Sequence, residues 1–63
     1  MVNAVSLIRG DIVKIINKNS PYFGDNSEVV CCDGIWFHVR VIGHNGDGDI
    51  VFRRSDLRYM RRN

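Results

Sequence analysis

Apolar and polar residues alternate along several short stretches of this chain, with the two-residue period that is typical of β-strands. The clearest alternation covers residues 35–42. Its odd-numbered positions are uniformly apolar and should face a core: Ile35, Phe37, Val39 and Val41. The even-numbered positions, which begin with Trp36, His38 and Arg40, should form the outer face of the same strand.

Four further runs are predicted to be strands: 11–16, 27–32, 49–53 and 58–61. Val13 and Ile15 share one face of the first run, and Ile50 and Phe52 share one face of the third. Which face of 27–32 points inward stays open, because its apolar run is unbroken.

Turn-forming residues separate these runs. The pair Asp33-Gly34 predicts a hairpin with a type I′ turn, which requires positive φ angles. The stretch Ser55-Asp56-Leu57 predicts a single 3₁₀ turn, with the Ser55 side chain accepting a hydrogen bond from the backbone at its start.

Together with a long loop at 17–26 and a flexible glycine-rich loop at 43–48, these elements predict an all-β fold. The expected architecture is a five-stranded SH3-like small barrel with a 3₁₀ turn before the last strand. Closing a sheet on itself lets a very small chain bury one face of every strand. The barrel should be a single domain over residues 1–63, with residues 1–9 as an edge strand or a flexible N-terminus.

Composition agrees with a small globular domain. The chain has 63 residues, of which 44% are hydrophobic and 25% are charged, a balance that excludes a disordered tail. Its apolar runs fall far short of the roughly 20 residues that a membrane-spanning helix needs. The first nine residues lack a basic leader and a cleavage site, so we expect no signal peptide and a cytoplasmic protein.

Positive charge is concentrated at the C-terminal end. Residues 1–50 carry four basic and six acidic side chains, whereas residues 51–63 carry one acidic side chain and five arginines: Arg53, Arg54, Arg58, Arg61 and Arg62. The planar guanidinium suits phosphate and carboxylate groups. This segment therefore indicates an anionic partner, either nucleic acid or an acidic protein surface, unless it only makes the chain soluble.

The cysteines and histidines do not suggest a metal site. Cys31 and Cys32 are adjacent, and neighbours on a strand point to opposite faces, so they are expected to form neither a disulfide nor a metal-binding pair. One of them should lie in the core and the other on the surface. His38 and His44 do not complete a zinc site with them, and we expect neither metal nor other cofactor.

The pattern also argues against an enzyme. No phosphate-binding glycine loop, nucleophile elbow or paired-carboxylate site is present in the sequence. His38 has no nucleophile to activate, since Ser55 is expected to serve the 3₁₀ turn and Cys32 lacks an orienting partner. We predict a non-enzymatic binding module.

Several segments resemble the KOW and related SH3-like small barrels. The similar segments are 9–15 (RGDIVKI), 20–24 (SPYFG), 29–30 with 33–34, 39–41, and 50–57 (IVFRRSDL), which together span residues 9–60. This resemblance implies the barrel fold, with Leu57 delivered to the core by the 3₁₀ turn. The chain departs from the pattern at Asn26-Ser27-Glu28, where a glycine is usual.

The chain is also similar to the ferredoxin-docking barrels of photosynthetic electron transport, photosystem I subunit IV and subunit S of the NADH dehydrogenase-like complex. The shared stretches are Tyr22-Phe23-Gly24, residues 33–34 and residues 52–57. The Asn-rich loop of the photosystem subunit is absent from this sequence. The resemblance implies docking to an acidic protein such as ferredoxin.

Two groups of residues are candidates for the contact surface. Trp36, His38 and Arg40 alternate on one strand and could stack on bases, contact a protein, or cover the core beneath residues 1–9. Tyr22 lies in the long loop, as a contact residue or as a lid on the core. The five C-terminal arginines form the second group, and Arg40 is expected beside them if the barrel closes.

The leading hypothesis is binding to nucleic acid or to a nucleoprotein machine, with salt-sensitive contacts dominated by the phosphate backbone. A second hypothesis is a docking subunit that presents the same arginines to an acidic protein. A third is a small phage-type effector that binds and inhibits a host protein.

Overall fold

The structure is a computed structural model that describes residues 6–44, 46 and 48–62. It contains five strands and a 3₁₀ turn at Arg54–Asp56, between the last two strands. The strands are β1 (Ile12–Ile15), β2 (Asn26–Asp33), β3 (Trp36–Val41), β4 (Asp49–Arg53) and β5 (Leu57–Arg61). The predicted all-β fold with five strands and a 3₁₀ turn before the last is confirmed, and strand ends differ from the prediction by at most one residue.

All five strands belong to one antiparallel sheet with the order β4-β3-β2-β1-β5. The strands β2, β3 and β4 follow one another as neighbours, and β5 returns to pair with β1. This return joins the C-terminal arginines to the first strand. Among the described residues, no helix is long and apolar enough to cross a membrane.

The core lies on the inner face of this curved sheet. Its fully or nearly fully buried members are Leu7, Val13, Ile15, Val29, Val39, Val41, Phe52 and Leu57. The two pairs of residues predicted to share a face do so, and both pairs face the core: Val13 with Ile15 on β1, and Phe52 with the half-buried Ile50 on β4. Burial of these apolar side chains is the main favourable term for a chain of this size.

The β2–β3 hairpin extends beyond the core, which makes two predictions wrong. The register passes from Val29↔Val39 to Cys31↔His38, so β2 contains a bulge at Val30. Past this bulge both Cys31 and Cys32 are exposed, although one of them was expected in the core. Ile35, expected on the core face, is 64% exposed. These residues lie at the tip of the hairpin, where no second layer of side chains covers them.

The turn of this hairpin also differs from its predicted type. Because Asp33 pairs with Trp36, the two central residues are Gly34 and Ile35 rather than Asp33 and Gly34. Gly34 has a φ of 64°, and Ile35 has a negative φ. A type I′ turn needs positive φ at both central residues, so the geometry fits type II′, in which glycine occupies the first.

The 3₁₀ turn is one residue earlier than predicted, and it is held differently. The carboxylate of Asp56, not the hydroxyl of Ser55, accepts a hydrogen bond from a backbone N–H at the start of the turn, that of Arg53 at 3.3 Å. Asp56 can reach back because it is the third residue of the turn. Leu57 follows directly and is buried, as the resemblance implied.

The N-terminal segment contributes to the core without forming a strand where it is described. Residues 6–9 belong to no strand, and Leu7 packs among the buried side chains. Residues 1–5, for which an edge strand or a flexible segment was expected, lie outside the described residues. The predicted loop at 43–48 contains two further positions outside them, Asn45 and Asp47.

Ser27 is a buried polar residue whose substitution provides a stability test. Its side chain is fully buried, and among the described residues its Oγ has no hydrogen-bond partner. An unpaired buried hydroxyl costs free energy. We therefore expect Ser27→Ala to raise the free energy of unfolding by up to about 1 kcal/mol in urea denaturation. The exposed Ser55→Ala should change it by less than about 0.5 kcal/mol; a clear loss of stability in Ser27→Ala would contradict this account.

Candidate functional site

Arg62, a predicted binding residue, is held in the fold by a buried carboxylate. Its Nε and Nη2 donate to the two oxygens of Asp11, at 2.8 and 3.1 Å, and Nη2 also donates to the carbonyl of Ser6 at 3.1 Å. The same guanidinium lies 5.9 Å from the centre of the Tyr59 ring. Arg62 therefore ties the end of the chain to the residues before β1.

Asp11 is the acceptor at the centre of this contact. Its side chain has no exposed surface, and one of its oxygens also accepts the backbone N–H of Ile8 at 3.0 Å. The hydrogen bond from Arg62 lowers the pKa of the Asp11 carboxyl below its ordinary value, against the effect of burial. The Asp11 carboxylate therefore has a structural role, and the Arg62 guanidinium is held by its two hydrogen bonds to that carboxylate.

Arg54 is likewise bonded to the protein. Its Nη1 donates to the carbonyl of Leu57 at 2.6 Å, and its side chain is half-buried beside the 3₁₀ turn. This side-chain bond links the first residue of the 3₁₀ turn to the residue that follows the turn. Two of the five C-terminal arginines, Arg54 and Arg62, are thus part of the fold.

Two other arginines lie on β5 next to a lysine of β1. Arg58 pairs directly with Lys14 across the two strands, and Arg61 pairs with Ile12. Arg58 and Arg61 are exposed, and Lys14 is half-buried. The sequences of β1 and β5 contain three cations and no acidic residue. We call Lys14, Arg58 and Arg61 the basic ribbon.

The fifth arginine, Arg53, belongs to a different part of the sheet. It pairs with Trp36 across β3 and β4, and its guanidinium carbon lies 5.2 Å from the centre of the indole ring. Trp36 is 39% exposed, with the outward orientation predicted from the alternation. The alternative in which the first nine residues cover Trp36 falls partly on residues 1–5, which lie outside the described residues.

Trp36 forms one wall of a shallow open groove of about 390 Å³. The other lining residues are Asp33, His38 and Val51. Val51 is 43% exposed and is the cross-strand partner of His38. We call these four residues the Trp36 groove. They place an aromatic ring, an aliphatic side chain and two polar groups together on the outer face of β2, β3 and β4.

Arg40 lies on the same strand as Trp36 but among acidic residues. Its cross-strand neighbours are Glu28 on β2 and Asp49 on β4. Its Nη2 is 3.9 Å from an Asp49 oxygen, with both side chains about half exposed. The charge of Arg40 is therefore largely balanced where it stands, and it adds little to an attraction for anions.

Tyr22 is closer to the predicted lid than to a free contact residue. It is half-buried, packs against the core, and has its ring edge-on to that of His44 at 5.4 Å. His44 Nε2 lies 3.3 Å from an oxygen of Asp25. These contacts join the long loop to the segment after β3. The neighbouring Phe23 is 50% exposed.

The predicted surface is thus divided by the structure. Arg58 and Arg61 join Lys14, Arg53 joins Trp36 and His38, and the remaining candidates hold the fold or pair with acids. Sequence reasoning missed Lys14 and Val51 as site residues. Val51 could have been found from alternation, because Ile50 and Phe52 face inward. Lys14 could not, because its partner Arg58 is defined only by the register of β1 with β5.

Comparison with known proteins adds no relative. No protein-family model matches the chain, and no match is found among curated proteins or among solved structures. The resemblance to KOW and ferredoxin-docking barrels stays a prediction. Within the described part of the chain, no group of three or more His, Cys, Asp or Glu side chains could hold a metal ion.

Proposed function

We propose that this protein is a non-enzymatic binding module that contacts the phosphate backbone of nucleic acid through the basic ribbon. The observation that carries the proposal is the direct pairing of Lys14 with Arg58. Like charges opposite each other destabilise an antiparallel pair of strands. A cation pair in the sheet therefore costs stability, which an anionic partner bound across both strands would offset.

The exposed arginines suit phosphate in particular. A guanidinium offers several N–H donors in one plane and can bond two phosphate oxygens at once. Arg58 and Arg61 lie on one strand, and Lys14 lies beside them as a third point of charge. Three such contacts favour backbone binding of modest affinity with little sequence preference.

The proposal is tested by a salt titration of binding. A random-sequence DNA duplex and a single-stranded oligonucleotide are each titrated with the protein from about 20 to about 200 mM salt. The logarithm of the binding constant should fall linearly with the logarithm of the salt concentration. Three phosphate contacts give a slope of about −3 for duplex and about −2 for single strands. No binding at the lowest salt, or affinity independent of salt, would end the proposal.

An acidic protein surface is the second candidate, because the same guanidinium groups would pair with carboxylates. In a pull-down from the native extract, this candidate predicts a protein that is retained through the basic ribbon after nuclease treatment. Nucleic-acid binding predicts that nuclease treatment releases whatever the protein had retained. The phage-type effector that binds and inhibits a host protein stays a separate, third hypothesis. The charge pattern favours the first, since the cations follow two strands without an intervening acid, as a continuous backbone requires.

A further inference from the structure

The Trp36 groove has no role in backbone binding by the basic ribbon. Folding alone does not account for it, since exposing an indole ring and Val51 side by side leaves apolar surface in water. The groove and the ribbon lie on the same sheet. Their strands β3 and β1 are separated by β2 alone, but β1 pairs with residues 26–28 of β2, whereas Trp36 lies opposite Asp33, about 16 Å further along that strand. A single strand of several nucleotides is therefore needed to contact both the ribbon and the groove.

We infer that the Trp36 groove holds one unstacked base of a single-stranded nucleic acid whose backbone follows the basic ribbon; this rests on the function proposed above. The indole ring provides the surface on which the base stacks, and Val51 provides an apolar side wall. Stacking on an aromatic side chain is available to every base but only when the base is unpaired. A duplex can reach the ribbon, yet it cannot place a base in the groove.

Charge at the groove agrees with this occupant. Arg53 holds a guanidinium 5.2 Å from the centre of the Trp36 ring, where it can contact the phosphate beside a stacked base. This places a cation and an aromatic ring together, the combination that single-strand binding surfaces use. A protein side chain could also fill the groove, but it would not bring with it the phosphate groups that bind the basic ribbon.

Asp33 makes the groove selective among bases. Its carboxylate is an acceptor at the edge of the groove and can bond the amino group of cytosine. Thymine presents a carbonyl oxygen at the corresponding position, which a carboxylate repels. The groove should therefore prefer cytosine to thymine by a few-fold, and Asp33→Asn should remove that preference.

The fluorescence of the protein reports directly on the groove, because Trp36 is its single tryptophan. Oligo(dC) and oligo(dT) of about ten nucleotides should quench it on binding, within the site sizes usual for small β-barrels. A hairpin duplex of the same charge should bind without comparable quenching. This measurement uses the unchanged protein, so it does not depend on how any variant folds.

Variants then separate stacking from charge. Binding of a labelled oligonucleotide, followed by fluorescence anisotropy, should weaken about 10-fold or more in Trp36→Ala and be largely restored in Trp36→Phe. Duplex binding should be unchanged in both. Phe23→Ala is the matched control, since it removes an aromatic ring of similar exposure from the long loop. Each variant is compared with the parent by circular dichroism and thermal unfolding.

The outcomes distinguish this inference from the proposed function. If single strands bind through the ribbon without quenching, and Trp36→Ala binds as the parent does, the groove takes another occupant, such as a protein, and the inference is overturned. If neither duplex nor single strand binds, the proposed function falls and the inference falls with it. Equal loss of duplex and single-strand binding in Trp36→Ala would also overturn it.

Discussion

Replacing Asp11 by alanine is expected to lower the melting temperature by about 10 °C or more. The substitution leaves the Arg62 guanidinium without its carboxylate and the Ile8 N–H without its acceptor. Of the bonds that tie the Arg62 side chain to the segment that carries Leu7 into the core, the one to the Ser6 carbonyl is left. In a chain of 63 residues the loss of such a contact is a large part of the total stability.

The matched control for this variant is Arg61→Ala. Arg61 is adjacent to Arg62 but is exposed on β5, so its removal should change the melting temperature little. The melting temperature of Arg62→Gln should lie between those of Asp11→Ala and Arg61→Ala, because glutamine keeps a hydrogen-bond donor but loses the charge. Equal melting temperatures for Asp11→Ala and Arg61→Ala would show that the buried contact does not stabilise the fold.

The pH dependence of this contact has a definite sign. The folded-state pKa of the Asp11 carboxyl is lowered, so its contribution is complete above the unfolded value of about 3.9 and is lost as the pH falls through the folded value. The Asp11→Asn variant lacks this contribution. The difference in urea midpoint between parent and variant should therefore be constant near neutral pH and narrow as the pH falls below about 5. A difference that widens on acidification would contradict the assignment.

The double charge reversal Arg58→Glu with Arg61→Glu is expected to weaken nucleic-acid binding by about 100-fold or more at low salt. It replaces two phosphate contacts with two repulsive charges. Both side chains are exposed, and the variant is expected to fold, because the glutamate introduced on β5 opposite Lys14 would face it as an opposite charge. Arg54 and Arg62 are left unchanged in this test, since their bonds to Leu57 and Asp11 belong to the fold.

A single substitution on β1 separates binding from stability. In Lys14→Glu the cross-strand pair with Arg58 becomes attractive, so unfolding should require up to about 1 kcal/mol more while binding weakens. Lys18→Glu is the matched control, with the same charge change in the exposed loop that follows β1. If both variants lose binding to the same degree, net charge rather than the basic ribbon governs the interaction.

Most of the fold followed from alternation and turn chemistry. Val13 with Ile15, and Phe52 beside Ile50, were placed correctly because a two-residue period is visible over even five residues. The errors lie in the 3₁₀ turn, where Asp56 rather than Ser55 accepts the backbone N–H, and at the tip of the β2–β3 hairpin. At this tip an unbroken apolar run hides the bulge at Val30, and alternation does not show where the core ends. One of the two cysteines, and Ile35, were therefore wrongly expected in the core.

The site was harder to predict than the fold, because it depends on pairings between distant segments. The five C-terminal arginines are alike in sequence, yet Arg62 finds a carboxylate 51 residues away and Arg54 finds a carbonyl three residues away. Arg58 becomes a candidate binding residue because it lies opposite Lys14 on the first strand. Composition identifies where the charge is, whereas register and burial decide which charges are available to a partner.

The bond between Arg62 and Ser6 brings the two ends of the described chain together. Because β5 is also paired to β1, a covalent linker between residues 62 and 6 would have only the span of the Arg62 side chain to cross. Opening the chain so joined at the exposed Gly34–Ile35 turn would keep every strand beside its present neighbours. We therefore expect a chain that is joined between residues 62 and 6 and opened at that turn to form the same sheet, because all four strand pairings would be kept.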